Sequence, residues 1–337
     1  MTNLRESPKV ELHCHLIGLI EPFLLAQIQE NRGKVLVESE ILQKVYPVCG
    51  LAGFTRWLEV LKPYQMATPE LMRPFLAAHV SQLISQRVVY AEIMLSPTMF
   101  PREPAERLRA FQRWRNWTLE LEQEKIQIEY LVVIPRSLAD ALIEHDTAAF
   151  LELFQAGLIV GVALVGVENG ESLQRFSRSF ARWREAGLGI EIHAGEHGGS
   201  EVVRDALVHG SPHRLGHALS IFHDLALVEE IKRRGVHLEF CLTSNLRTGA
   251  VTDFLSHPIR WAREWGMSYS INTDDPGAFE CSLESEFRLL RDQMQFTDAD
   301  FGNVYRNSLA ARFQPKLRYL PDVERSGPSR QMTAADG

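Results

Sequence analysis

The chain has 337 residues, 45% of them hydrophobic, and a formal net charge of −7. That length and apolar content suffice for one large core or two ordinary ones, and the acidic balance gives no general attraction to phosphate backbones, so nucleic acid and anionic membranes are not expected partners. Cys14, Cys49, Cys241 and Cys281 are scattered without a C-x-x-C pair, and no apolar run reaches the roughly eighteen residues of a membrane span, so a soluble, reduced, cytoplasmic protein without a disulfide framework is expected.

Taken in chain order, the first apolar run is Val10–His15. Helical spacing follows over Pro22–Asn31, Glu38–Val45, Phe54–Leu61 and Pro69–Gln86, a long stretch before the second run, Val88–Leu95. From there strands and helices alternate. Ala105–Glu124 is helical and Ile126–Ile134 extended. Leu158–Val165 is extended, Ser172–Ala186 helical and Leu188–His193 extended. Then come Glu201–His209 helical, the very short Arg214–His217 extended, Asp224–Arg234 helical, Val236–Cys241 extended, Asp253–Trp265 helical and Met267–Asn272 extended. Strands alternating with helices imply a parallel sheet, and eight of them fit a closed α/β architecture, the (β/α)8 TIM barrel, with a helical insertion after strand 1. Residues 1–314 read as a single barrel domain. The Pro-, Arg-, Ser- and Gly-rich residues 315–337 read as a flexible tail.

Barrel enzymes keep their chemistry at the C-terminal ends of the strands, and several polar residues close these runs. His13 and His15 stand at i and i+2 on the first strand, so both imidazoles point the same way and could reach one metal ion; two ordinary histidines are the plain alternative. Glu11, two residues earlier, adds little. His193 closes the fifth run, with Glu196 three residues on. His217 closes the sixth and Asp274 the eighth, followed by Asp275. Alone, Asp274-Asp275-Pro276 is a turn or helix cap, Glu196 a surface acid and His217 a packed side chain. Three histidines and a carboxylate converging from strand ends one, five and eight suit zinc, and a position left to water would make such a site catalytic. Glu196 and His217 would then be candidates for proton transfer.

The strings Val10-Glu11-Leu12-His13-Cys14-His15-Leu16, His193-Ala194-Gly195-Glu196, Arg214-Leu215-Gly216-His217, Thr243-Ser244-Asn245-Leu246 and Asn272-Thr273-Asp274-Asp275-Pro276 occur in one order from about Pro8 to Phe313. Together they resemble the motifs of the adenosine deaminase family. The resemblance implies a metal-dependent deaminase barrel holding one Zn2+ on His13, His15, His193 and Asp274. It implies that Glu196 protonates the ring nitrogen beside the reacting carbon and that His217 orients and deprotonates the nucleophile. Asp275 would hydrogen-bond a ring nitrogen, and the backbone of Gly166 would touch the ring. The partner would be a small purine-like molecule; the oligomeric state is left open.

The sugar end departs from the family pattern. Leu16-Ile17-Gly18 stands where the family usually has Leu-Asp-Gly, whose acid meets the ribose 5′-hydroxyl, and Ile17 accepts no hydrogen bond. Ala163 and Val167 stand where relatives often carry acids, and Cys241-Leu242-Thr243 replaces Cys-Pro-Thr. The expected substrate is therefore an adenosine-type nucleoside with a modified 5′ end, with adenine or a pterin-type base as the alternative. Other classes stay open: a catalytically altered pseudoenzyme, a zinc amidohydrolase, or a zinc peptidase. The last rests on His193-Ala194-Gly195-Glu196-His197, which matches H-x-x-E-H but is interrupted by glycine. Phe54, Trp57 and Leu58 have helical spacing and read as core; His213 reads as a surface histidine.

Overall fold

The computed structural model describes residues 4–32 and 37–319. Eight strands follow one another around a parallel barrel: β1 (Lys9–His15), β2 (Val88–Leu95), β3 (Gln127–Pro135), β4 (Gly161–Val165), β5 (Gly189–Ala194), β6 (Arg214–His217), β7 (His237–Phe240) and β8 (Tyr269–Ile271). The ring closes just past β8. There Asp274 N–H donates to His13 O at 2.9 Å and His15 N–H donates to Asp274 O at 2.8 Å. The fold is thus the (β/α)8 barrel, and its closing bonds are made by residues of the site itself.

Side chains alternate across each strand. Leu12 and Cys14 on β1 and Ile190 and Ile192 on β5 join the apolar layer packed against the outer helices. The opposite parity carries Glu11, His13 and His15 on β1, Glu191 and His193 on β5, Arg214 on β6 and Glu239 on β7, so the barrel interior is polar. Buried charge of this kind survives only when paired. Arg214 Nη2 meets Glu92 Oε2 at 2.5 Å and its Nε meets Glu239 Oε1 at 2.5 Å, while its guanidinium lies 3.6 Å from the Phe313 ring centroid. This ion network is the floor on which the histidines stand.

Between β1 and β2 run a short 3-10 turn (Ile17–Leu19) and the helices Pro22–Arg32, Ser39–Val45, Gly50–Gln65 and Arg73–Ser85. Gly50–Gln65 reaches over the mouth. Trp57 is core and donates to Tyr46 Oη at 2.7 Å, but its neighbours Phe54 and Leu58, expected as core, line the cavity. One helical turn is shared between the core and the mouth, which spacing alone does not separate. His213, expected at the surface, is half-buried: it accepts a hydrogen bond from Ile190 N–H at 3.0 Å, and burial lowers its pKa to about 4. Residues 315–319 lie against the base of β3, where Arg318 pairs with Glu122 and Glu129 and its N–H donates to Gln127 Oε1 at 2.6 Å. The remainder of the expected tail, residues 320–337, lies outside the described residues. Among the described residues, no helix is long and apolar enough to cross a membrane.

Candidate active site

Four imidazoles and a carboxylate gather at the C-terminal mouth. His15 Nε2 lies 3.2 Å from His193 Nε2 and 3.3 Å from Asp274 Oδ1, and His13 Nε2 lies 3.4 Å from the same oxygen. His13, His193, His217 and Asp274 each offer one atom within 4.8 Å of the others. Two of these residues hold left-handed backbone, His217 at φ +62° and Asp274 at φ +63°. Such strain in a residue with a Cβ persists only where the surroundings enforce it, and it is frequent at functional sites. Here it turns His217 into the mouth at the end of a four-residue strand.

The outer atoms of these ligand-like groups are fixed by acids that sequence reasoning missed or dismissed. His13 Nδ1 lies 2.7 Å from Glu239 Oε2, and His193 Nδ1 lies 3.0 Å from Glu191 Oε1. Glu11 accepts from Thr273 Oγ1 at 2.8 Å and so ties the end of β8 beside Asp274. Ser244 Oγ donates to Asp274 Oδ2 at 2.6 Å. A signal for the acids exists in hindsight. Each is a charged residue inside an apolar strand, on the same parity as a histidine or facing one across the barrel. Gly216 is required by the same packing, since an added Cβ would sit 2.5 Å from Glu191 Oε1 and 2.9 Å from His13 Cε1.

These atoms suit a cation. His193 is held neutral, its pKa lowered well below the ordinary imidazole value by burial and by His13 and His15. With its Nδ1–H turned to Glu191, its Nε2 presents a lone pair toward the cluster. His13 Nε2 is buried without a hydrogen-bond partner. Burial opposes ionisation of Asp274, but the imidazoles of His13 and His15 outweigh it and hold the acid well below its usual pKa. Three imidazole nitrogens and one ionised carboxylate oxygen, each steadied from behind, are the donor set of zinc-like ions.

Beside this cluster lies a chain of hydrogen bonds whose directions can be worked out from one backbone group. Ile259 N–H donates to His257 Nδ1 at 3.1 Å, so neutral His257 carries its proton on Nε2. That nitrogen lies 3.2 Å from Asn245 Oδ1, which must accept. The Asn245 amide is thereby oriented, and its Nδ2 donates to His217 Nδ1 at 3.0 Å and to Glu196 Oε1 at 3.2 Å. His217, its pKa lowered well below the ordinary value chiefly by burial, is therefore neutral with its proton on Nε2, facing Glu196 Oε2 and Asp274 Oδ2 at 3.8 and 3.9 Å. Glu196 Oε1 also accepts from Thr248 Oγ1 at 3.4 Å. Burial, with Asp274 and Glu168 nearby, raises the Glu196 pKa to about 8. At neutral pH the carboxyl is thus protonated, and with Oε1 taken by two donors the proton belongs on Oε2. Asp275 is likewise pushed well above its usual range by burial and by ionised Asp274. Gly18 lets it approach: a Cβ there would lie 2.3 Å from Asp275 Oδ1.

His15, His193, Glu196, His217, Asp274 and Asp275 open into one cavity of about 840 Å³, which Ile17 and Gly166 also line. Gly166 takes φ +108°. The barrel mouth therefore brings every sequence-derived candidate to one place. His197 differs: it sits between β5 and the helix Ser200–His209, so His193 and His197 do not share a helix face as an H-x-x-E-H peptidase site requires.

Residues 8–319 match the family model described as Adenosine deaminase. Among curated proteins, the chain is 30% identical over 312 residues to an adenine deaminase of Sinorhizobium fredii and 31% identical over 315 residues to one of Rhizobium meliloti, each match covering 90% of this chain and 94% of the relative. Among solved structures it is similar to an adenine deaminase of Arthrobacter aurescens, with TM-score 0.77 and 23% identity over 91% of this chain and 94% of that one. It is also similar to an Arabidopsis N6-mAMP deaminase, with TM-score 0.78 and 21% identity over 96% of both chains. A third similar structure is a Burkholderia ambifaria amidohydrolase with bound Zn, with TM-score 0.77 and 21% identity over 92% of this chain and 86% of that one.

Proposed function

Because the chain belongs to the adenosine deaminase family, and is a hydrolase of its deaminating kind, we propose that the barrel mouth is its active site and that it removes the ring amine of a 6-aminopurine with release of ammonia. We propose further that His13, His15, His193 and Asp274 hold one zinc ion. A divalent cation there would supply a strong nucleophile from water at neutral pH.

The chain's own residues account for the remaining proton traffic. Hydrolysis joins a water oxygen to the ring carbon that bears the amine. The carbon–nitrogen bond then breaks with its electron pair on nitrogen. The amine leaves as ammonia with one proton given up by the water oxygen, and the other oxygen proton returns to the Glu196 carboxylate as the carbonyl forms. As the oxygen adds, negative charge moves onto the adjacent ring nitrogen. Glu196, neutral with its proton on Oε2, is suited to donate to that nitrogen. Asp275, on the cavity wall beside Asp274, is placed to hydrogen-bond a second ring nitrogen and so to fix which carbon faces the nucleophile. His217, held by Asn245, orients the attacking oxygen. The backbone of Gly166 lies along the ring. The observation that carries this reading is the placement of the Glu196 carboxyl, its Oε1 held by Asn245 and Thr248 and its Oε2 3.8 Å from His217 Nε2, beside a cluster suited to a cation. Glu196→Gln should keep the metal yet lower kcat by roughly 10²–10⁴, the usual worth of a positioned proton donor; wild-type turnover in that variant removes Glu196 from the mechanism.

The substrate we favour is a nucleoside with a modified 5′ end. Two features support it: Ile17 offers no hydrogen bond, and about 840 Å³ is room for a drug-sized molecule rather than a bare ring. Adenine is the second reading, favoured by the names of the curated relatives. Ammonia release from adenosine, 5′-deoxyadenosine, a 5′-thioether analogue, adenine and an aminopterin separates them. A preference for adenosine over 5′-deoxyadenosine beyond about a hundredfold would mean that a polar group has replaced the missing acid.

A further inference from the structure

We infer that the rim of this cavity beside β2 is an oxyanion site anchored by Arg107, so that the substrate is an aminopurine carrying a phosphate monoester or carboxylate away from its amine. The substrate half of the inference rests on the deaminase reading; the anion site does not.

Arg107 lies in the first turn of the helix Pro104–Glu122 and is 5% exposed, yet it lines the cavity. Its one hydrogen bond runs from Nη2 to Arg102 O at 2.6 Å, and its Nε is buried without a partner. Among the described residues it has no carboxylate in ion-pair range. Of the other deeply buried arginines, Arg136 likewise has no carboxylate in ion-pair range among the described residues, but its Nη2 donates to His193 O at 2.5 Å and it does not line the cavity, whereas Arg214 and Arg115 are answered by acids. Arg214 is held by Glu92 and Glu239, and Arg115 by Glu122 and Glu129. A buried guanidinium costs several kcal/mol unless an anion answers it. Arg107 lacks that anion among the described residues and lines the cavity into which the candidate site opens.

The surroundings point the same way. Lys62 and Arg102 line the same cavity, so a chain of net charge −7 gathers three cations at its mouth, while its acids Glu196, Asp274 and Asp275 lie at the chemical end. The other wall acids are engaged: Glu168 accepts from the N–H groups of Glu196 and Gly198, and Asp146 pairs with His145 at 2.9 Å. Leu16 N–H donates to Met94 O at 2.7 Å, which sets Ile17 next to the end of β2, and Ile17, Arg102 and Arg107 all line the same cavity. An apolar shelf with a cationic rim next to it is shaped for a substituent whose far end is charged. A guanidinium with free N–H groups meets two oxygens of such a group at once.

The test is binding and turnover by the full-length, metal-loaded protein. Titration calorimetry with inosine 5′-monophosphate and inosine should show the phosphate form binding at least tenfold more tightly. Arg107→Met should collapse that ratio toward one, and Arg107→Lys should retain part of it. The ratio is the readout, because a merely structural loss would weaken both ligands alike; thermal melts confirm that each variant is folded. Adenosine 5′-carboxylate beside AMP in the ammonia assay tells which anion is preferred. Equal affinity of wild type for the two ligands, no affinity for either, or an Arg107→Met variant with an unchanged ratio overturns the inference. Ammonia from adenosine but not from AMP or the carboxylate overturns it while the deaminase reading stands. Phosphate-dependent binding through Arg107 without deamination of any amine leaves the anion site and removes the deaminase reading.

Discussion

Replacing Asn245 with leucine should disable the reaction without emptying the metal cluster. Asn245 is fully buried, and its amide makes three bonds: it accepts from His257 and donates to His217 and Glu196. Leucine has similar bulk and no polar atom, so it strands His217 Nδ1 and the His257 Nε2–H in the protein interior. Each stranded group costs about 1–3 kcal/mol of stability. For turnover, the relevant loss is the bond that fixes His217 with its proton on Nε2. A loss of about 1–3 kcal/mol from the activated complex corresponds to roughly five- to 150-fold in kcat. Asn245→Asp sharpens the test. It matches the native shape but puts acceptor oxygens where His217 Nδ1 and Glu196 Oε1 need a donor, so it should be worse than leucine although it is polar. Steady-state kcat on the best amine, with metal content measured on the same preparations, checks both. An aspartate variant within about threefold of wild type would show that the direction of the amide does not matter, and the assignment of the His217 proton would fall with it.

The remaining predictions are simpler to state. His15→Ala should lower bound zinc well below one ion per chain, read by elemental analysis, and a chelator should abolish turnover in the wild type until zinc is restored; full metal content in the variant would exclude His15 as a ligand. Acid should destabilise the fold through His79, which burial depresses to about pKa 4 from the ordinary 6.5. A histidine depressed in the folded state binds its proton more readily unfolded, so its share of stability is complete above pH 6.5 and is lost as pH falls toward 4. At pH 5 that loss is about 2 kcal/mol, and urea unfolding of His79→Gln should show a correspondingly smaller drop between pH 7 and pH 5.

The legible parts of this molecule are those whose partners are close in sequence or fixed by strand parity. His13 and His15 share a face because they are two residues apart on one strand, and that spacing alone proposes a shared ion. Alternating strands and helices give the barrel, and a barrel puts strand ends at one mouth, so His193, His217 and Asp274 follow once the strands are recognised. The order of the motifs then names the family. Glu11 was available and passed over, because two residues before a histidine looks like coincidence until the end of β8 is seen to hang from it. Glu191 and Glu239 were hidden for a related reason. A charged residue in an apolar strand reads as an edge or an error unless the barrel interior is known to be polar.

The substrate end was not legible, and the reason is topological. The chemistry proposed at the ring rests on strand ends, where position in the sequence fixes position in space. On the reading proposed above, recognition of the rest of the substrate depends on the helices between β1 and β2 and on the segment after β2, from which Lys62, Arg102 and Arg107 line one cavity although their neighbours in sequence say nothing about it. Phe54 and Leu58 share a helical turn with Trp57, yet they face the cavity and Trp57 faces the core; the division is set by what the helix packs on. Arg107 in isolation is one of many arginines on a helix with exposed basic residues, and what sets it apart is burial without an acid on the wall of the cavity itself. The two ends of the cavity are also built on different elements, so either can change while the other stays. A chain can keep the deaminating strand ends, replace an acid by Ile17, and gather cations one strand away without disturbing a single bond among His13, His15, His193 and Asp274. Family membership therefore constrains the reaction more tightly than the substrate, and the substrate has to be read from the rim.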